Sequence, residues 1–167
     1  MSYVLTSRAT VTIAIHVISR SVKEFLVSQN YGLIERLISV LGRDFALSES
    51  SNMRKGGLIG LAAAALGLQK VGNLFPATCS GRYHGQNFQE TKRFAPDLIK
   101  PVLTCMSDKD SRVRYYACES LYNVMKVCKE NILPMFNEIF CTLGIVASDL
   151  DSDVRTSVEL LDRLMKV

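Results

Sequence analysis

Apolar side chains recur at steps of three or four residues along most of this chain, and short polar stretches separate the runs. Two runs near the end of the sequence have the apolar positions Val113, Ala117, Leu121, Val124 and Cys128, then Val154, Val158, Leu161 and Met165. This spacing places the apolar side chains on one face of an α-helix. The pattern therefore predicts a series of amphipathic helices that bury one face against a neighbour.

The polar residues before these two runs repeat. Residues 108–114 read DKDSRVR and residues 149–155 read DLDSDVR, so five of seven positions are identical at an offset of 149 − 108 = 41 residues. A period of about 40 to 47 residues built from helix pairs is typical of HEAT and armadillo repeats. The sequence therefore predicts an all-α fold, a HEAT/armadillo-like solenoid of antiparallel helix pairs.

The same polar block occurs once more upstream, at a longer offset. Ser50 to Arg54 occupies the place of Asp110 to Arg114, 114 − 54 = 60 residues earlier. The excess of 60 − 41 = 19 residues predicts an insertion, which we place at 71–93 because that segment is rich in Gly, Asn, Ser and Gln. A disordered or misassigned insert, an ordinary loop and a binding loop all remain open.

The repeats divide one solenoid domain into three parts. Residues 1–70 are predicted to hold N-terminal HEAT helices with an incomplete first repeat, and 71–93 an irregular insertion. Residues 94–167 are predicted to hold two further repeats with an open C-terminal end. The last apolar run has no polar cap behind it, and such a cap is what a terminal repeat needs. We therefore expect the chain to be a fragment of a longer array.

Composition excludes several classes of function. Twenty basic residues are spread among sixteen acidic ones, with a net charge of +4, whereas nucleic-acid binders concentrate Lys and Arg on one face. Five cysteines without C-x-x-C spacing and two distant histidines indicate reduced thiols and no zinc site. No apolar run approaches the ~20 residues that cross a bilayer. We expect no catalytic residue, cofactor or metal.

The repeated polar block supplies the candidate site residues. An Asp–Arg ladder between adjacent repeats is predicted for Asp108, Asp110, Arg114, Asp149, Asp151 and Arg155. Ser111 and Ser152 are the predicted helix N-caps. A candidate partner surface consists of Arg54, Lys55, Arg112, Tyr115 and Tyr122, because basic and tyrosine side chains are common at interfaces. Gly56, Gly57, Gly60, Ala64 and Gly67 predict one slender helix face, for which tight packing is favoured over a partner groove.

Three segments go beyond a general HEAT pattern. They read DFALS with RKGGLIGLA, then KPVLTC, then DSRVRYYACESLYN, and ELLDRL follows near the end of the chain. Together they resemble the N-terminal HEAT region of the Vac-fourteen family over most of 20–70 and 95–167. The first twenty residues and the 71–93 segment depart from the family pattern.

This resemblance implies a scaffold without catalysis of its own. The implied partners are a phosphatidylinositol 3-phosphate 5-kinase of the PIKfyve/Fab type and the opposing Sac-domain lipid phosphatase. The implied location is cytoplasmic, peripheral on endosome, lysosome or vacuole membranes through the complex. Self-association is assigned to the family's C-terminal part, so it is not expected of this chain. Two alternatives stay open: a general HEAT-repeat adaptor, and a nucleic-acid-binding HEAT solenoid.

Overall fold

In the computed structural model, residues 2–69 and 86–166 are described, and their regular structure is entirely helical. The helices are α1 (Ser2–Val27), α2 (Tyr31–Ser39), α3 (Ser51–Leu68), α4 (Gln86–Cys105), α5 (Ser111–Cys128), α6 (Phe136–Val146) and α7 (Ser152–Met165). A π-helical segment, Val40–Ala46, continues α2, and a 3₁₀ segment, Lys129–Met135, leads into α6. The predicted all-α solenoid is confirmed.

The helices form two layers. In one layer α1 packs on α3, α3 on α5, and α5 on α7. In the other layer, α2 with its π-helical extension packs on α4, and α4 packs on the 3₁₀ segment. The chain alternates between the layers, so α2–α3, α4–α5 and α6–α7 are consecutive helix pairs. One continuous apolar core runs between the layers, and its fully buried side chains include Ile34, Leu58, Leu61, Leu98, Ile99, Leu121, Ile139 and Leu161.

Helix α3 lies unusually close to its neighbours because its buried face is built of small residues. Gly57, Gly60, Ala64 and Gly67 are all buried. A Cβ atom added at Gly67 would lie 2.7 Å from the Ser19 carbonyl oxygen of α1. The small residues therefore serve packing inside the stack, as predicted, and only Gly56 of this set is exposed with nothing within 4 Å.

Part of the segment predicted to be an irregular insertion is helical. Helix α4 begins at Gln86, so the last eight residues of the 71–93 segment are helical. The stretch from Gln86 to Arg93 contains Gln, Glu, Lys and Arg, which are good helix formers, and no Gly or Pro. Arg93 also pairs with Glu35 of α2 and lies over the Tyr31 ring. The rest of the predicted insertion, residues 71–85, lies outside the described residues.

The helix N-caps are aspartates and not the predicted serines. The Asp110 side chain accepts a hydrogen bond from the Arg112 N–H, and Asp151 accepts one from the Asp153 N–H, both at 2.9 Å. Ser111 and Ser152 are the first helical residues instead. Asp and Ser both cap helices well, so the sequence alone did not decide between adjacent positions.

The repeat ladder and the candidate partner surface

Each junction between helix pairs carries one arginine–aspartate pair. Arg114 Nε and Nη2 donate to the two carboxylate oxygens of Asp149 at 2.6 and 2.8 Å. Arg54 Nη2 donates to Asp108 Oδ1 at 3.1 Å, and its Nε lies 2.7 Å from Oδ2 without the alignment of a hydrogen bond. All four side chains are at most 16% exposed. The planar guanidinium matches a carboxylate at two points, so these pairs set the register between helix pairs.

These two arginines, and Arg155 of the predicted ladder, also hold their own turns. Each Nη1 donates to the carbonyl oxygens five and six residues earlier in the chain. The pairs are Arg54 to Ser48 (2.9 Å) and Glu49 (2.7 Å), Arg114 to Asp108 (2.8 Å) and Lys109 (3.3 Å), and Arg155 to Asp149 (2.6 Å) and Leu150 (3.0 Å). In Arg54 and Arg114 the turn therefore fixes Nη1. Nε and Nη2 are then already oriented towards the aspartate of the next helix pair.

Asp110 and Asp151 lie at the same junctions, but they act as helix N-caps. The Arg112 N–H, and then the Ser51 hydroxyl of the preceding pair, hold the pKa of Asp110 below its usual value. The Ser111 hydroxyl, and then the Asp153 N–H, do the same for the pKa of Asp151. These two residues therefore cap helices and lie near a serine of the preceding pair, while Asp108 and Asp149 accept hydrogen bonds from the arginines.

Acid should weaken the stack. The hydrogen bonds from Arg114 hold the pKa of Asp149 below its usual value. A carboxyl whose folded pKa is lowered stabilises the fold above its unfolded pKa of about 3.9, and that stability is lost as the pH falls through the folded value. We expect the urea midpoint to fall between pH 5 and 3, and to fall less in Asp149→Asn. Equal falls in the two proteins would contradict this assignment.

Arg54 is not part of an open partner surface, where the sequence placed it. It is 7% exposed and pairs with Asp108, so it belongs to the ladder. Its guanidinium is held between the turn before α3 and the turn before α5. Little of Arg54 is left for a partner to contact.

The remaining candidates are accessible, and most lie on one side of α5. Arg112 is exposed, and Tyr115 and Tyr122 are half-buried. Their spacing of three and seven residues puts them on one helix face. The Tyr115 ring meets Tyr116 edge-on at 5.6 Å, and Lys126 Nζ lies 5.2 Å from the Tyr122 ring centre. Lys55 of α3 is half-buried and lies near Asp110, at the start of α5.

Sequence reasoning missed two members of this surface. Glu119 is exposed between the tyrosines, and it is the largest cause of the raised pKa of Tyr115. Tyr116 and Glu119 also line a shallow apolar groove of about 150 Å³ with Val11, Ile15, Ile59 and Leu66 of α1 and α3. The four-residue spacing of Tyr115 and Glu119 on one helix could have predicted that they lie close together. The groove could not have been predicted in this way, because it forms only when α1, α3 and α5 are packed together. The accessible surface therefore combines aromatic, acidic and basic groups with an apolar groove.

Three buried cysteines are poorly suited to act as nucleophiles. Burial is the largest cause that raises the pKa of Cys105 to about 11 and the pKa values of Cys118 and Cys128 to about 12. These thiols stay protonated and unreactive at neutral pH. In residues 2–69 and 86–166, no cluster of His, Cys, Asp or Glu is arranged to hold a metal ion. The described helices include none with the length and apolar character that a bilayer crossing needs.

Comparison with known proteins gives the family. A family model described as "Vacuolar 14 Fab1-binding region" matches residues 52–167. A "Protein VAC14 homolog" of Arabidopsis thaliana is 39% identical over 145 residues, which cover 87% of this chain and 17% of that protein. "Vacuole morphology and inheritance protein 14" of Saccharomyces cerevisiae is 38% identical over 152 residues, which cover 89% of this chain and 15% of that protein.

A further "Protein VAC14 homolog", from Schizosaccharomyces pombe, is 36% identical over 151 residues and covers 89% of this chain. No solved structure matches the chain. The chain spans only 15–17% of the length of these relatives. The family match nevertheless covers α3 to α7, including both complete arginine–aspartate pairs. The chain therefore belongs to the Vac14 family and contains its Fab1-binding region.

Proposed function

We propose that this chain is a non-catalytic scaffold segment that docks a Fab1-type phosphatidylinositol 3-phosphate 5-kinase. The observation that carries the proposal is the family match over residues 52–167, whose printed description is a Fab1-binding region. That region coincides with the part of the stack in which two arginine–aspartate pairs fix the helix pairs. A rigid stack of this kind is already ordered before binding, so little conformational entropy is lost when a partner binds.

The finer proposal concerns the other enzyme and the membrane. We propose that the scaffold also brings an opposing Sac-domain phosphatase to the kinase, and so regulates phosphatidylinositol 3,5-bisphosphate on endosome, lysosome or vacuole membranes. The kinase forms this lipid and the opposing phosphatase removes it. Holding both enzymes on one scaffold raises the effective concentration of each near the other. Membrane association would be peripheral, through the complex. Phosphatase docking and self-association belong to the longer protein in this proposal.

The α5 surface is the proposed kinase contact. Arg112, Tyr115 and Tyr122 lie on the accessible side of α5, with Glu119 among them. Tyr and Arg are the side chains that most often carry binding energy at protein interfaces. The neighbouring apolar groove, lined by Val11, Ile15 and Ile59, adds a place for an apolar side chain of the partner.

We expect substitutions on this surface to weaken kinase binding without unfolding the chain. The variant Arg112→Glu with Tyr115→Ala should lower affinity for a purified Fab1-type kinase at least about tenfold, because hot-spot side chains contribute about 2 kcal/mol or more each. The measurement is equilibrium binding to immobilised kinase, with circular dichroism to check folding.

The matched control is Glu138→Lys, an exposed residue of α6 in the other layer. It changes charge as strongly as Arg112→Glu, but it is expected to leave affinity unchanged. Kinase binding that is equally strong in all three proteins would overturn the assignment of the contact to α5. Absence of binding by the unaltered chain would overturn the proposed function itself.

A further inference from the structure

The outward face of α3 is recessed between its two neighbours. Helix α3 packs on α1 at one side and on α5 at the other, and all three helices line the apolar groove described above. In a solenoid each repeat contacts only its neighbours. Further helix pairs therefore stack beside the existing ones and not over α3. The groove thus belongs to the face of the stack and not to one of its ends.

The floor of this groove has the form of a hole for one side chain. The α3 residues that line it stand at positions i, i+3, i+4 and i+7, and they are Ile59, Ala62, Ala63 and Leu66. Four neighbouring residues of this kind form the hole that receives one side chain when two helices pack side by side. The two alanines in the middle are short, whereas Ile59 and Leu66 are longer and half-buried. The groove volume is about 150 Å³, and an apolar cavity of that size binds benzene. The hole therefore fits a leucine or phenylalanine side chain.

The two walls of the groove differ in character. One wall is apolar and consists of Val11 and Ile15 of α1. The other wall belongs to α5, where Arg112, Glu119 and Lys126 are exposed. These three residues are seven positions apart, so they lie along one side of the helix at intervals of about 10.5 Å. Within the described part of the chain, none of the three belongs to an ion pair. An apolar floor and wall therefore lie beside a line of charges in the order positive, negative, positive.

A second copy of this chain does not supply the complementary charges. A helix that matches the α5 wall needs a basic residue with an acidic residue seven positions away on each side. None of the twenty lysines and arginines in the sequence has acidic residues at both of these positions. An acidic lipid surface does not match either, because it would repel the carboxylate in the middle of the line. The groove therefore fits a helix of another protein.

We propose that this groove docks one amphipathic helix of the Fab1-type kinase. The proposal rests on the function proposed above and adds the form of the contact. The helix inserts a leucine or phenylalanine into the α3 hole, as apolar helix faces do in grooves. Beside that side chain it presents a basic residue to Glu119, and acidic residues seven positions before and after it to Arg112 and Lys126. The order acidic, basic, acidic is the same in both directions, so the charges allow the helix to run either way.

Binding of purified Fab1-type kinase to the full chain and to Ile59→Glu tests the contact with the floor. The variant places a charge in the hole, so affinity should fall at least about tenfold, as for a hot-spot side chain. The matched control is Leu33→Glu, the same kind of change at a residue that is 40% exposed on α2 in the other layer. It should leave affinity unchanged, and circular dichroism checks that both variants are folded.

The outcomes separate this proposal from the proposed function. Equal affinity of the kinase for the unaltered chain and Ile59→Glu would overturn docking in the groove but leave kinase binding intact. A kinase that does not bind the unaltered chain would overturn the proposed function, and the groove contact with it.

Two synthetic helical peptides test the order of charges. Both carry leucines at positions i, i+3 and i+7 and the same three charged residues at intervals of seven. The order is Glu, Arg, Glu in the first peptide and Arg, Glu, Glu in the second. The first should displace the kinase from the full chain at an about fivefold lower concentration, the upper range for an exposed ion pair.

Glu119→Arg keeps this test decisive, because Glu119 is exposed and its replacement should not unfold the chain. The variant should lose the preference for the first peptide. Competition by neither peptide, equal competition by both, or a preference that persists in Glu119→Arg would overturn the proposal.

Discussion

Gly57→Ala is expected to destabilise the chain by about 2–3 kcal/mol, the upper range for overpacking a core. The added Cβ would collide with the Ala46 backbone nitrogen, and it would lie 2.8 Å from Ala46 Cα and from the Phe45 carbonyl carbon. These are backbone atoms, so no side chain can turn aside to relieve the contact. The π-helical segment would have to move away from α3. Urea unfolding followed by circular dichroism measures the effect.

The neighbouring glycine is the control. Gly56 is exposed and has nothing within 4 Å of an added Cβ. Gly56→Ala is expected to stabilise the chain by roughly 1 kcal/mol, because alanine favours helix over glycine by that amount. The two variants thus differ in sign although they make the same chemical change one residue apart. Similar unfolding midpoints would contradict the close packing of α3 on Val40–Ala46.

Asp149→Ala is expected to cost about 3 kcal/mol, the lower range for breaking a buried ion pair. It removes both carboxylate bonds from Arg114, whose side chain is only 16% exposed, and the bond to the Asp151 N–H. A double-mutant cycle with Arg114→Met isolates the pair. We expect a coupling of about 1–3 kcal/mol, as for residues that share one hydrogen-bond network.

The control for this cycle is an exposed ion pair at the end of α7. Asp162 and Lys166 pair at spacing i, i+4 with side chains 47% and 71% exposed. Water screens such pairs, so Asp162→Ala should cost no more than about 0.5 kcal/mol. A coupling near zero for Arg114 and Asp149 would mean that the pair does not hold the junction together.

The repeating parts of the fold were predictable from the sequence because one physical arrangement recurs. The 41-residue offset between Asp108 and Asp149 reflects one junction built twice, and the apolar stripes gave the helices that pack there. The pair of Arg114 with Asp149 repeats, one helix pair later, the pair of Arg54 with Asp108. The helix caps were misplaced by one residue because aspartate and serine compete for the same role at adjacent positions.

Features that depend on distant contacts were harder to predict. Arg54 finds its partner 54 residues ahead, whereas Arg114 finds Asp149 after 35, because the longer connection before α4 lies between them. For this reason the sequence alone assigned Arg54 to the candidate partner surface. The π-helical segment Val40–Ala46 packs closely against Gly57, a contact that no local pattern in the sequence shows. The groove beside Tyr116 likewise exists only once α1, α3 and α5 are stacked.

We propose that the stacked helix pairs form the surface that holds a Fab1-type kinase. The most direct measurement is the affinity of the purified chain for that kinase, made in parallel with Gly56→Ala and Gly57→Ala. We expect saturable binding by the unaltered chain and by Gly56→Ala, with binding by Gly57→Ala reduced in proportion to its unfolded fraction. A folded chain that fails to bind the kinase, or an unfolded variant that binds it equally well, would overturn the proposed role of the stack.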